Sequence, residues 1–296
     1  MILAFPRSSY HLQLLGMNGV APDLIIIRDG LTLDVAHRYF PDAEVLSIGT
    51  EKEVRGWKGK YYRDVESRLK RHCSDHFQMI IFGLVNPFEK FLVDQFGIKN
   101  CELWEDGLNY YLQYFNGFWY PIKAIAKLCL GYYRGGTFDP LYRFNEITRR
   151  DRYSIGNLDY LSSYSEHAIQ LPDTVLFVGQ PLIEDRIISA RTFQRSLALV
   201  GQHYPGKKLH YLAHPREAGR GARIAQENHF EIVSNRYKSA EEFIQHHRYH
   251  KFISPFSTTL TNTPDPERCE FLPGVFGLSL IQAKLKTLLE GKYTVL

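Results

Sequence analysis

The sequence predicts an α/β fold built from two Rossmann-like halves with a cleft between them. Three observations predict it. Short runs near-continuous in Ile, Leu and Val alternate with helix-like stretches, as strands buried on both faces do. The pattern lapses and then restarts at Thr174. The chain has 296 residues, about twice the ~150 of a typical domain.

In the first half the strand-like runs are 1–5, 24–27, 45–48, 79–85 and 101–104. Between them, 32–39 and 65–72 have helical character, and 87–96 puts Phe88, Phe91, Leu92 and Phe96 on one helical face. Strand and helix in alternation imply a parallel sheet. The domain boundary is expected between residues 168 and 169, where Leu171-Pro172-Asp173 follows a polar stretch. In the second half, strands are expected at 174–178, 209–212 and 230–233 and at Phe252-Ile253. Helices are expected at 187–200, 239–246 and 278–289. Ser239 followed by Glu242 has the spacing of a capping box.

Bulk composition narrows the function. Lys and Arg total 36 against 32 Asp and Glu, a formal charge of +4, too small for a dedicated nucleic-acid binder. Charged residues at 23% and hydrophobic residues at 44% exclude disorder as the main state. Cys73, Cys101, Cys129 and Cys269 form no CxxC pair, so zinc ribbons and thioredoxin-like sites are not expected. Their scatter fits reduced thiols in a cytosolic protein. The N-terminal apolar run lacks a basic flank and is short for a signal peptide. No window reaches the ~18 uninterrupted apolar residues of a membrane span.

Aromatic content is high, at 14%. Many rings fall in 110–155, and between residues 117 and 155 seven bases stand against three acids. Such a segment fits peripheral contact with an anionic membrane or a lipid-linked glycan. It equally fits an aromatic core helix with a solvated basic face.

Four motifs could carry chemistry. Glu105-Asp106-Gly107 follows a strand, where open α/β sheets bind ligands. Adjacent carboxylates disfavour joint ionisation, which suits a general base. Alone, the triplet also fits an acidic turn. His214-Pro215 follows a strand too, and an imidazole there can hydrogen-bond a departing phosphate, or simply occupy a surface turn. Ser257-Thr258-Thr259 offers hydroxyls and N–H groups to a phosphate, or a plain helix cap. Glu241 can accept from ribose hydroxyls, or serve the helix dipole.

In that order and spacing the motifs resemble those of the bacterial sialyltransferases, which share an acid-acid-glycine triplet, an HP pair and a Ser followed by Ser or Thr. Glu241 falls 27 residues after His214, and Ser257 falls 43 after it. The strings Gly179-Gln180-Pro181-Leu182 and His214-Pro215-Arg216-Glu217 are most similar to glycosyltransferase family 52 and the capsule polysialyltransferase-like proteins. The resemblance implies a GT-B fold, with an N-terminal acceptor-side domain (1–168) and a C-terminal donor domain (169–296). It implies inverting, metal-independent transfer of sialic acid from CMP-sialic acid to a terminal sugar of a lipooligosaccharide or capsule, without a further cofactor. The acceptor would be a glycan, lipid-linked, and the enzyme cytoplasmic or peripheral at the inner membrane face. Asp106, or else Glu105, would be the base. His214 would assist the leaving phosphate, with Pro215 fixing the backbone beside it. Ser257 and Thr258 would hold that phosphate, Glu241 would bind the ribose, and Gly179 and Gln180 would line the first donor turn. A GT-B transferase using another nucleotide sugar, such as a UDP-hexose, or a non-catalytic scaffold stay open beside this reading.

Overall fold

Strand Leu24–Ile27 shows how the sequence makes the first sheet. All four side chains are buried, Leu24 and Ile26 on one face and Ile25 and Ile27 on the other. A strand flanked by helices on both sides needs apolar residues at every position, not every second one. In the computed structural model the described residues are 1–28, 31, 33–73, 76–83, 87–105, 107–112, 119–133, 148–150, 163–237, 239–289 and 291–296. The chain divides into two compact units, Met1–Asp159 and Tyr160–Leu296. That division falls nine residues before the 168/169 boundary expected from the sequence.

The first unit runs β1 (Ile2–Phe5), α1 (Ser9–Met17), β2 (Leu24–Ile27), α2 (Leu33–Tyr39), β3 (Glu44–Ser47), α3 (Gly59–His72), β4 (Gln78–Ile81), α4 (Pro87–Phe96) and β5 (Cys101–Trp104). It continues through α5 (Asn109–Leu112), α6 (Trp119–Cys129) and β6 (Thr148–Arg150). Its strands are parallel, in the order β3-β2-β1-β4-β5-β6. On one face Val65 and Leu69 of α3 and Phe88, Phe91 and Leu92 of α4 cover Leu3, Leu24, Met79 and Leu103. Each such fully buried side chain contributes about 1.5–3 kcal/mol. On the other face Leu12 of α1 and Ala36 of α2 cover Ile25 and Ile27.

The second unit runs β7 (Ile169–Val178), α7 (Ala190–His203), β8 (Lys208–Leu212), α8 (Arg220–Glu227), β9 (Glu231–Ile232), α9 (Ala240–Gln245) and β10 (His247–Ser254). Then come α10 (Thr258–Thr261), β11 (Cys269–Phe271), α11 (Ser279–Leu288) and β12 (Thr294–Val295). These strands are also parallel, in the order β12-β11-β10-β7-β8-β9. Numbered within each unit, both sheets read 3-2-1-4-5-6, the doubly wound order of a dinucleotide-binding fold.

The structure extends several expected elements. β7 begins at Ile169 rather than Thr174, because its mostly exposed first half pairs with His247–Tyr249 of an equally extended β10. The register shifts between Tyr249 and Lys251, where the two strands pass from surface into core. Much of the aromatic and basic stretch 110–155 lies outside the described residues. Within it α6 is described, and its Ile122 and Ile125 and the following Leu130 are exposed. Among the described residues no helix is long and apolar enough to cross a membrane.

Candidate functional site

In an open parallel sheet, ligands bind at the carboxyl ends of the strands where the winding reverses. In the second unit that point lies between β7 and β10, with β8 on the other side of β7. The residues singled out in this half of the sequence follow those strands, or lie on the helix leading into β10.

β7 ends at Val178 and is followed by Gly179 and Gln180. The Gln180 carboxamide Oε1 accepts from the Phe256 N–H at 3.1 Å. The Ser254 hydroxyl donates to the Val178 carbonyl at 2.8 Å. These bonds tie the turn after β7 to the loop after β10 across the switch point. That loop ends in Ser257, whose hydroxyl caps α10 by accepting from the Thr259 N–H at 3.3 Å. Ser257 is buried and Thr258 half-buried. Glu241, in the first turn of α9, accepts from the Thr259 hydroxyl at 2.8 Å through Oε1. The structure thus joins Glu241 to the Ser/Thr cluster. Its Oε2 has no partner among the described residues. Ser239 does cap α9, accepting from the Glu242 N–H at 3.0 Å.

After β8 the chain turns at His214-Pro215-Arg216-Glu217. The Glu217 N–H donates to the His214 carbonyl at 2.9 Å, with Pro215 at the second position, where its fixed φ favours a β-turn. The Arg216 N–H donates to Nδ1 of His214 at 3.0 Å. An accepting Nδ1 places the ring proton on Nε2. Burial, and secondarily the Arg216 guanidinium, push the His214 pKa below its ordinary value, while Asp185 and Glu184 pull the other way. The imidazole is therefore neutral at pH 7 and offers Nε2–H as a donor. Arg216 itself is held by Asp185 at 3.0 Å.

Beneath this turn sits Glu217, whose only signal in the sequence is its place in the string His214-Pro215-Arg216-Glu217. One carboxylate oxygen accepts from the His214 N–H at 2.9 Å and the other from the Tyr211 hydroxyl at 2.9 Å. Burial raises its pKa to about 7 against the downward pull of those two bonds, with Glu184 adding to the rise. Two glycines make room for it. A Cβ at Gly179 would stand 2.5 Å from its Oε1 and 2.9 Å from the Leu212 carbonyl, and one at Gly221 would stand 2.5 Å from its Oε2. Gly179 thus gives close approach to a side chain of the chain itself. Its only sequence signal was the GQPL string.

In the first unit, Glu105 follows β5 and is buried, accepting from the Tyr111 hydroxyl at 2.9 Å. Asp106 lies outside the described residues. Gly107 has φ +84°, a left-handed conformation that accounts for a glycine at the third position. Among the described residues no group of three or more His, Cys, Asp or Glu side chains could hold a metal ion.

Two parallel doubly wound sheets in one chain define a GT-B fold, and solved structures of that fold match the chain over nearly its whole length. LpCGTa in complex with UDP is similar with a TM-score of 0.51 at 10% identity, over 99% of this chain and 84% of that one. Os79 from O. sativa in complex with U2F and trichothecene gives 0.52 at 11%, over 97% and 84%. Arabidopsis thaliana UGT89C1 complexed with UDP-L-rhamnose gives 0.51 at 10%, over 99% and 84%. At such identities the likeness is one of fold. No family model matches the sequence, and no curated protein does.

Proposed function

We propose that this chain is a glycosyltransferase that takes a nucleotide-activated sugar as donor and binds it with the second unit. The observation that carries this reading is the bridged switch point. Gln180 ties the ends of β7 and β10 together, and Glu241 of α9 is bonded there to Thr259 of the run Ser257-Thr258-Thr259. His214 stands on the adjacent strand end.

The chemistry follows from the groups available. A neutral His214 hydrogen-bonds the departing phosphate through Nε2–H, and the bond strengthens as negative charge grows on the phosphate oxygen. The Ser257 and Thr258 hydroxyls supply further donors to it. Glu241 has a carboxylate oxygen left for ribose hydroxyls. The acceptor hydroxyl forms the new bond to the anomeric carbon as the bond from that carbon to the phosphate oxygen breaks. The hydroxyl proton passes to a carboxylate, assigned by the resemblance to Asp106 with Glu105 as the alternative. Because the donor carries a good leaving group, catalysis is mainly positioning and charge stabilisation.

Two donors have specific support. A UDP-sugar is favoured by the solved neighbours, two of which are complexes with UDP or UDP-L-rhamnose. CMP-sialic acid is favoured by the motif set Glu105-Asp106-Gly107, His214-Pro215 and Ser257-Thr258. On the second donor the acceptor would be a bacterial surface glycan, and the enzyme would work at the inner face of the membrane. Thermal shift with CMP, UDP and GDP decides between them, since a ligand of the native state raises the melting temperature. Stabilisation by none of the three overturns the glycosyltransferase reading. Donor hydrolysis measured with a chelator present tests independence from metal.

A further inference from the structure

The first unit has its own switch point, between β1 and β4, and the strand ends there enclose a cavity of about 460 Å³. That volume is in the range of small-molecule pockets, ~300–1,000 Å³. Arg7 follows β1, Arg28 follows β2, Glu51 and Lys52 follow β3, and Glu89 lies in the first turn of α4 after β4. Lys127, from the end of α6, adds a further charge to the described lining.

The charges divide into a fixed set and a free set. Glu51 is buried and accepts from the Tyr62 hydroxyl at 2.9 Å while its other oxygen pairs with Arg28. Arg28 also donates to the Gly49 carbonyl at 3.3 Å and lies 4.5 Å over the Phe88 ring. Glu89, 1% exposed, pairs with Arg7 at 3.5 Å. The His11 ring, stacked on Phe82, accepts from the Arg7 N–H at 2.9 Å and so holds that loop. The two carboxylates are thus neutralised by the two arginines. Lys52 and Lys127 remain, and among the described residues neither forms an ion pair. Lys127 lies 5.9 Å from the Tyr132 ring, which with Phe5 and Pro6 gives the cavity flat apolar wall.

We infer that this pocket binds an acidic saccharide, one carrying a carboxylate or a phosphate. Two ammonium groups without an ion-pair partner among the described residues select an anion. The arginine N–H groups serve hydroxyls, and an apolar wall suits the C–H face of a sugar ring. The cavity is far larger than a bare anion needs. That this saccharide is the acceptor of transfer rests on the function proposed above, whereas its binding does not.

The test titrates glucose 6-phosphate, glucuronate and glucose into the full chain at low salt, followed calorimetrically. The wild type should bind at least one acidic probe at least ~10-fold more tightly than glucose, a difference of about 1.4 kcal/mol. Which acid binds better assigns phosphate or carboxylate. A Lys52→Glu/Lys127→Glu variant should lose the preference, and a Lys286→Glu/Lys292→Glu variant, with the same charge change on the second unit, should keep it. Equal binding of glucose, or equal loss in both variants, overturns the proposal. Nucleotide-induced thermal shift is read on the same samples. If no nucleotide binds while the acidic probes do, the donor reading fails and the pocket stands. If a nucleotide binds and the acidic probes do not, the reverse holds.

Discussion

The two sheets share one strand order, yet the loops at their carboxyl ends are built from different chemistry. In the first unit the ends of β1 to β4 carry Arg7, Arg28, Glu51, Lys52 and Glu89, and the buried members are locked in ion pairs. In the second unit the ends of β7, β8 and β10 carry glycine, amide, hydroxyl, an uncharged imidazole and a carboxyl that titrates near neutrality. The scaffold fixes where a ligand sits, and the loops fix which one. A charged lining suits a ligand that brings its own charge. Hydroxyl, N–H and neutral imidazole donors, with the nearby Arg216 already held by Asp185, suit a phosphate that must be released once transfer is done.

The contrast can be broken first at the ion pair. Glu51→Ala leaves the part-buried Arg28 without its carboxylate partner and the Tyr62 hydroxyl without its acceptor, and removing one partner of a buried pair costs about 3–5 kcal/mol. Lys52→Ala, on an exposed and unpaired neighbour, should change stability by less than ~0.5 kcal/mol. Trp57, Trp104 and Trp119 all belong to the first unit, so tryptophan fluorescence during urea unfolding reads this difference without the second. Equal costs for the two variants would show that the charged loops are not locked as described.

The second unit is sharpened by His214→Ala. Turnover should fall at least ~100-fold with the fold intact, the magnitude of a lost hydrogen-bond donor to developing charge. Wild-type transfer and donor hydrolysis in this variant would remove His214 from the mechanism.

Legibility in the sequence follows the same division. β2, β5 and α4 match their expected bounds, because unbroken apolar runs and a four-residue apolar face leave one reading. Nothing in the sequence marks α1 as a helix: Tyr10, His11, Leu12, Leu14 and Leu15 are all buried, so no polar face shows its period. β11 and β12 are too short to carry a pattern. At the site, the spacing singles out Ser257, Thr258 and Glu241, and the fold bonds Glu241 to Thr259 beside the other two. The role of Glu217 was not, since it depends on Gly179 and Gly221, far apart in sequence and on either side of one carboxylate. The pocket of the first unit was hidden for the same reason. Its charges are spread from Arg7 to Lys127, and only the strand order gathers them.

A smaller effect separates the two glycines. At Gly179 an added Cβ meets the backbone carbonyl of Leu212 as well as Glu217, and a backbone atom cannot swing away. At Gly221 it meets the Glu217 carboxylate and, at 3.1 Å, the Tyr211 hydroxyl, both side-chain ends. Gly179→Ala should cost ~1–3 kcal/mol, the usual range for overpacking, and Gly221→Ala less. Hydrogen exchange in β7 and β8 is the measurement, and a larger loss of protection in Gly221→Ala would reverse the assignment.

The finest test concerns the proton on Glu217. Its folded-state pKa of about 7 lies above the ordinary value of 4.5, so between those values the folded chain holds a proton that the unfolded chain has released. Stability from this group is therefore complete below pH 4.5 and is lost as pH rises through about 7. Burial is the cause, and the bonds from the His214 N–H and the Tyr211 hydroxyl are what keep the shift from being larger. Glu217→Gln keeps the shape and an acceptor for His214 but cannot titrate. Calorimetric melting at pH 5, 6.5 and 8, read in the transition that tryptophan fluorescence does not follow, should decline in the wild type and flatten in the variant. The same decline in both would place the titration elsewhere and leave Glu217 as an ordinary ionised carboxylate beneath the His214 turn.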